Sequence, residues 1–391
     1  MKKREMTLFL IASALIGVSQ SIDSSVFNNF LSDVMKLDVV GRSALEFPRE
    51  LPGFLVVFIA GALMVIGDVR IAAVASGLAA FGMLGLGLWT DSYGSLLFWM
   101  ILYSTGQHLW MPVSNSIAMH LTDSGNIGAV LGRVNGWNTA AYLATSLAVY
   151  GLISHFRINF VLAFSVGAAA YIAAALIILT MTPHRDKKAR PSFKLEPRYY
   201  LYYALSVVYG ARKQIFITFG PWVLIQVFKQ GVSTFAMVSF LVAAIGMFFK
   251  PWVGVLIDRM GERFVIQGES LLLIVVCLGY AFAMQVEYLT GWSGLALLVT
   301  TGCFVGDQVL LAATMARSTW VKRNALPEDD VSGILSMGVS IDHAVSMVIP
   351  WLGGLLWTAA GYEAVFMAGA ALALLNYLLA GRLKRHEAPE A

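Results

Sequence analysis

Residues 183–197 read PHRDKKARPSFKLEP, a basic, hydrophilic bridge between two long apolar halves. The apolar runs on either side last roughly 20 to 28 residues, and a helix needs about 20 to span the hydrocarbon core of a bilayer. Each half therefore reads as about six membrane-crossing helices. The expected organisation is a bundle over residues 1–182, a cytoplasmic basic linker over 183–198 and a second bundle over 199–391.

Composition excludes a water-soluble globule. With 58% hydrophobic residues, 13% charged residues and a mean hydropathy of +0.73 over 391 residues, the chain has too little polar surface to face water all round. In lipid the backbone must satisfy its own hydrogen bonds, and runs of this length do so as helices rather than as barrel strands. The fold class is thus an all-α membrane protein of twelve transmembrane helices in two pseudo-symmetric six-helix bundles. Spans are expected near 6–35, 43–66, 70–89, 95–122, 127–154 and 158–181, then near 199–228, 232–256, 263–285, 293–321, 331–358 and 361–381.

Charge placement sets the orientation. The amino terminus, the even-numbered loops, the bridge and the carboxyl tail hold most of the 27 Lys and Arg residues, whereas the odd-numbered loops hold Lys36, Arg42, Arg157 and Lys229. Both termini are expected to be cytoplasmic, in a prokaryotic cell membrane. This bias accounts for the net charge of +4 and calls for no nucleic-acid partner. The apolar stretch that follows the basic start runs past a signal-peptide core and carries Asp23, so it reads as a retained first helix. Tyr199, Tyr200, Tyr202 and Tyr203 fit an interfacial belt. Cys277 and Cys303 have no metal-ligand or disulfide spacing, and neither cofactor nor metal is expected.

The halves carry a faint internal repeat, the symmetry from which alternating access is built. Aligning Gly17 with Gly210 also matches Ile22 with Ile215, Val34 with Val227 and Lys36 with Lys229. Pairing Gly106 with Gly306 sets Gln107 and His108 opposite Asp307 and Gln308. Pairing Gly128 with Gly333 sets Asn138 opposite His343.

Ionisable groups inside apolar spans hold most of the remaining information. Asp23, Glu46, Arg49, Glu50, Arg212, Lys213, Asp307 and Asp342 would each cost about 2.5 to 3.5 kcal/mol facing lipid at mid-depth, so they should face a wet cavity or one another. In LEFPRELPGF, residues 45–54, Arg49 can neutralise Glu46 or Glu50, and Pro48 and Pro52 would kink the helix. That cluster reads as a coupling site, an outer gate or a structural ion pair. A bond from Asp23 to Arg212 or Lys213 is expected to hold one conformational state. Asp307, Asp342 and His343 are expected to form a second group, in which a histidine beside a buried carboxylate could relay protons, with His108 as their mirror. Asn138 could bind a polar solute or simply join helices, and Glu269 reads as a snorkelling residue.

The loop after the eighth span reads GVLIDRMGER, residues 254–263. It resembles the GxxxDRxGRR signature of the major facilitator superfamily, with Gly254, Asp258, Arg259, Gly261 and Arg263 in register and Glu262 in place of a basic residue. The counterpart after the second span, MVIGDVR at residues 64–70, keeps Asp68 and Arg70. An RxxQG-like stretch common in proton-coupled members is missing: Leu102 stands four residues before Gly106. Pro350, Gly353 and Gly354 form a PxxGG break like those of the superfamily, expected to pack helices closely.

The resemblance implies a secondary active transporter that exposes one central site alternately to each side. The loop carboxylate Asp258 is expected to latch one face closed near the start of the eleventh span, where the helix dipole favours a negative charge. The expected substrate is a small polar or zwitterionic solute, moved by a monomer and coupled to protons. Sodium coupling, a lipid flippase or a membrane-embedded enzyme are the alternatives. No HExxH, GxSxG or cysteine nucleophile favours the enzyme.

Overall fold

The computed structural model describes residues 2–63, 66–121, 127–155, 159–182, 195–324 and 331–383. Most of the basic linker, with Arg157, lies outside them. Among the described residues helices joined by short turns are the only regular structure. In order it forms α1 (Lys2–Asp33), α2 (Val39–Ala44), α3 (Glu46–Leu63), α4 (Asp68–Leu88), α5 (Tyr93–His120) and α6 (Ile127–His155). These are followed by α7 (Phe160–Leu179), α8 (Tyr200–Gln226), α9 (Val232–Thr290), α10 (Leu295–Leu310), α11 (Thr314–Asn324) and α12 (Val331–Ala380).

Two of these helices are too long for a single crossing. At about 1.5 Å per residue, the 59 residues of α9 and the 50 of α12 far exceed a hydrocarbon core about 30 Å thick. Each turns back at one glycine, Gly261 with φ 83° and Gly361 with φ 83°, in a backbone region that a side chain strongly disfavours. The expected second span is also divided: α2 ends at Ala44, with Leu45 as its C-cap, and α3 runs unbroken with Pro52 inside it. Pro48 occupies the first turn of α3, where its missing N–H sacrifices no intrahelical bond, so it starts the helix without breaking it.

The chain separates into two compact units. The first contains residues 1–36, 48–191 and 231–243; the second contains residues 37–47, 192–230 and 244–391.

Within the first unit, α4 packs on α5 and α7, and α1 on α6 and α7. Close approach rests on small residues. A Cβ at Gly106 would lie 2.4 Å from the Ala75 carbonyl oxygen and the Ala79 nitrogen, so α4 and α5 touch backbone to backbone there. Polar side chains join the helices further along: Ser19 Oγ donates to the Gly167 carbonyl at 2.7 Å, and the Ser21 and Ser146 hydroxyls bond at 2.8 Å.

Within the second unit, α8 packs on α12, and the short α2 lies against both. Trp222, Phe216 and Phe219 of α8 are fully buried, and the Tyr280 and Phe366 rings stack with centroids 4.0 Å apart. The tyrosine belt is corrected here: Tyr199, Tyr202 and Tyr203 are buried with Val321 and Ile334, and only Tyr200 points outward. Their apolar rings are better served by this core than by the interface. The Pro350 break is also absent, since α12 continues through it. The close packing expected there is present, since Gly353 makes room for the Phe219 ring.

The repeat is visible in the backbone. Lys36 and Lys229 both have φ 53°, the left-handed value, and each ends its helix in the same way, with two successive amides bonding to Phe30 O and to Val223 O. Gly17 abuts the backbone of Asn138 in α6, and Gly210 abuts that of Asp342 in α12. One helix crossing has therefore been built twice.

Candidate functional site

In the first unit a small cavity is lined by Asp23 and Phe27 of α1, Arg49 of α3, and Met100, Tyr103, Ser104 and Gln107 of α5. Among the described residues Asp23 Oδ1 is buried with no hydrogen-bond partner, and the charge facing the carboxylate is the Arg49 guanidinium, with the Tyr103 hydroxyl beside it. Gln107 Nε2 donates to that hydroxyl at 2.8 Å. The Ser104 hydroxyl donates to the Arg49 carbonyl, which fixes α3 against α5, and the His108 ring bonds back to Ser104. Tyr171 of α7 is buried behind Tyr103, their ring centroids 6.2 Å apart. The cavity thus offers an anion, a cation, a hydroxyl and an amide within an apolar wall.

The second unit pairs its own charges. Arg212 Nη2 donates to Asp307 Oδ1 at 2.7 Å, and its Nη1 lies 3.8 Å from Glu269 Oε1. All three side chains are buried, and Gln308 donates to the other oxygen of Asp307. Lys213 Nζ donates to Asp342 Oδ2 at 3.0 Å. Adjacent helical positions point about 100° apart, so α8 hands one base to α10 and the other to α12. His343, beside Asp342, is half-buried.

These pairings correct the sequence reading. Asp23 faces Arg49 of its own unit, and Arg212 and Lys213 are held by carboxylates of theirs. Asp307 and Asp342 do not form a group with one another, since each has its own base. Glu269 is buried beside Arg212 and does not snorkel.

Helix α3 is divided between the units, so Glu46, Arg49 and Glu50 serve different neighbours. Glu46 is bonded by Arg42, one turn earlier, and by Gln214 Nε2 at 2.6 Å. Arg42 was expected in an outer loop; it is buried, and its bond to Glu46 leaves Arg49 to Asp23. Glu50 is buried in the first unit. Asn138 Nδ2 donates to the Ser13 carbonyl at 3.0 Å and to Gln20 Oε1 at 3.2 Å, which makes it a clasp between α6 and α1.

The signature loop is also placed differently. Asp258 binds Arg323 at 2.9 Å in the last turn of α11, where the expectation was the dipole at the start of the eleventh span. Arg323 also reaches Glu262 at 2.9 Å. A guanidinium in contact attracts a carboxylate more strongly than a half-charge at a helix end. Gly254, Arg259 and Arg263 lie on α9 around the Gly261 turn, and Arg263 Nε donates to Gln267 at 3.4 Å. In the first unit Asp68 opens α4 after Gly67, Arg70 follows in its first turn, and Asp68 bonds the His120 ring at 3.0 Å.

Sequence reasoning missed Tyr103, Tyr171 and Gln214 because a tyrosine or glutamine in an apolar run raises no charge alarm. Arg42 could have been found, since it lies four residues before Glu46, the spacing of a helical ion pair.

The sequence model of the Major Facilitator Superfamily matches residues 50–325. A sequence search of curated proteins finds no match. Among solved structures, the nucleoside transporter NupG is 13% identical and superposes with a TM-score of 0.77, covering 97% of this chain and 100% of that one. A bacterial homologue of the human lysosomal transporter Spinster, inward-facing and occupied, is 16% identical with a TM-score of 0.72 and 96% of both chains covered. A D-xylose-proton symporter is 13% identical with a TM-score of 0.67 and 96% of both chains covered. The family match covers well over half of the chain and the helices superpose from end to end, so this multi-pass membrane protein belongs to the Major Facilitator Superfamily.

Proposed function

We propose that this transporter carries a small polar or zwitterionic solute by alternating access, driven by a proton gradient, with its termini on the cytoplasmic side. The observation that carries the reading is the cavity of the first unit, where Asp23 and Arg49 oppose one another beside Tyr103, Ser104 and Gln107. Intramembrane ionisable groups are rare, and those that line a cavity mark substrate or proton pathways.

The chemistry of the cavity supports the solute class. One carboxylate and one guanidinium match the two ends of a zwitterion, while a hydroxyl and an amide match sugar-like hydroxyls. A bulky anion is disfavoured because the bases of the second unit are already neutralised by Asp307 and Asp342. The nucleoside transporter and the D-xylose-proton symporter that share the fold carry solutes of that size. Protonation of Asp23 would release Arg49, which gives a proton a means of changing the cavity's charge pattern.

Sodium is the alternative coupling ion, and the two are separated by one experiment. Purified protein in liposomes is given labelled nucleosides, pentoses and amino acids under an imposed pH gradient or an imposed sodium gradient. Accumulation under the pH gradient alone supports the proposal. Accumulation under sodium alone, or movement of labelled lipid without solute uptake, overturns it.

A further inference from the structure

The two units carry the same corner, built from different chemistry. Gly67 (φ 88°, ψ 152°) and Gly261 (φ 83°, ψ 164°) adopt one conformation, and each is followed by an acid that opens the next helical run, Asp68 and Glu262. Each acid reaches the last turn of a later helix: Asp68 binds His120 of α5, and Glu262 binds Arg323 of α11. By conformation the counterpart of Asp68 is Glu262, although the written signature suggests Asp258. The corners differ in one respect. Arginine keeps its proton at every physiological pH, whereas an imidazole can lose its own.

We infer that the Asp68–His120 contact is a pH-sensitive clamp of the first unit, and that its counterpart on Arg323 is a permanent one. With His120 protonated the contact is a charged hydrogen bond; with His120 neutral it is an ordinary one, about half as strong. Among the described residues, the acid in contact with the His120 ring is Asp68, at 3.0 Å, and Arg70 follows it in the first turn of α4. Both side chains are only partly buried, at 27% and 11% exposure, so protons reach the pair directly. Arg323, at 32% exposure, is held by two carboxylates, and no proton exchange on the base loosens it. The expected consequence is a first-unit corner that closes as the solution on its side acidifies, while the second-unit corner does not respond.

Amide hydrogen exchange of the purified protein in detergent tests this without any transported solute, so its outcome is separate from that of the transport reading. Protection factors, corrected for the intrinsic pH dependence of exchange, are compared at pH 6 and pH 8 for residues 69–72 and 117–121. The wild type should show protection about threefold to fivefold higher at pH 6, in the range of a partly exposed ion pair. Residues 262–266 and 320–324 serve as the internal control and should not change. His120→Arg should abolish the step, and Arg323→His should create one at the second corner. A flat wild-type response, a step that persists in His120→Arg, or no step in Arg323→His overturns the inference.

Discussion

Replacing Arg212 by methionine should destabilise the protein more than any single change to its acidic partners. Arg212 is 3% exposed and bonds Asp307 at 2.7 Å, with Glu269 at 3.8 Å. Unit charges centred about 4 Å apart attract by roughly 4 kcal/mol at an effective dielectric of about 20. Removing the base strands Asp307, itself buried, and leaves Glu269 only the more distant Arg317. The expected cost is about 3 to 5 kcal/mol, the range for breaking one side of a buried pair. Asp307→Asn should cost about 1 to 2 kcal/mol less, because Glu269 still faces the guanidinium. Methionine fills much of the lost volume, so cavity formation contributes little. The assay is unfolding in mild detergent by graded denaturant, followed by tryptophan fluorescence, for both single variants and the double variant. A coupling energy of about 1 to 3 kcal/mol between the two positions is expected. An Arg212→Met variant within about 1 kcal/mol of wild type, or one less damaged than Asp307→Asn, would refute the reasoning.

Further changes test the rest of the architecture. Gly106→Val should destabilise by about 1 to 3 kcal/mol or more, since its Cβ alone would sit 2.4 Å from the α4 backbone; a neutral result in the same unfolding assay would contradict the α4–α5 contact. Asn138→Ala should cost about 0.6 to 1.7 kcal/mol, typical of interhelical hydrogen bonds in membranes, and should leave the affinity for solute unchanged. A selective loss of solute affinity, measured by equilibrium binding, would mark Asn138 as a binding residue after all. Asp258→Asn should alter stability by less than about 1 kcal/mol, because its carboxylate is 74% exposed and Glu262 remains on Arg323.

The fold was largely legible because its signals are long-range averages. Apolar runs longer than a bilayer, a basic bridge and a superfamily loop at 254–263 do not depend on the position of any one side chain. Even the repeat, resting on Lys36 and Lys229, survives to the level of a shared φ of 53°. The site was legible as an inventory of charges. Its wiring was not, because partner choice depends on rotation about each helix axis and on neighbours as far as 168 residues away along the chain. Glu46 illustrates this: spacing offers it Arg49 and Arg42 alike, and only the fold selects Arg42 and adds Gln214. Glu269 looked peripheral for the same reason, since nothing local announces that Arg212 turns towards α9. Aromatic members such as Tyr103 stayed hidden because a ring hydroxyl in an apolar run matters only once it meets Asp23.

The role assigned to Asp23 is tested most directly by comparing net uptake with exchange in Asp23→Asn proteoliposomes. The proposed coupling predicts that uptake driven by a pH gradient falls at least tenfold while exchange of internal for external solute continues, because the carrier still turns over without its titratable carboxylate. Undiminished pH-driven accumulation in Asp23→Asn would contradict it.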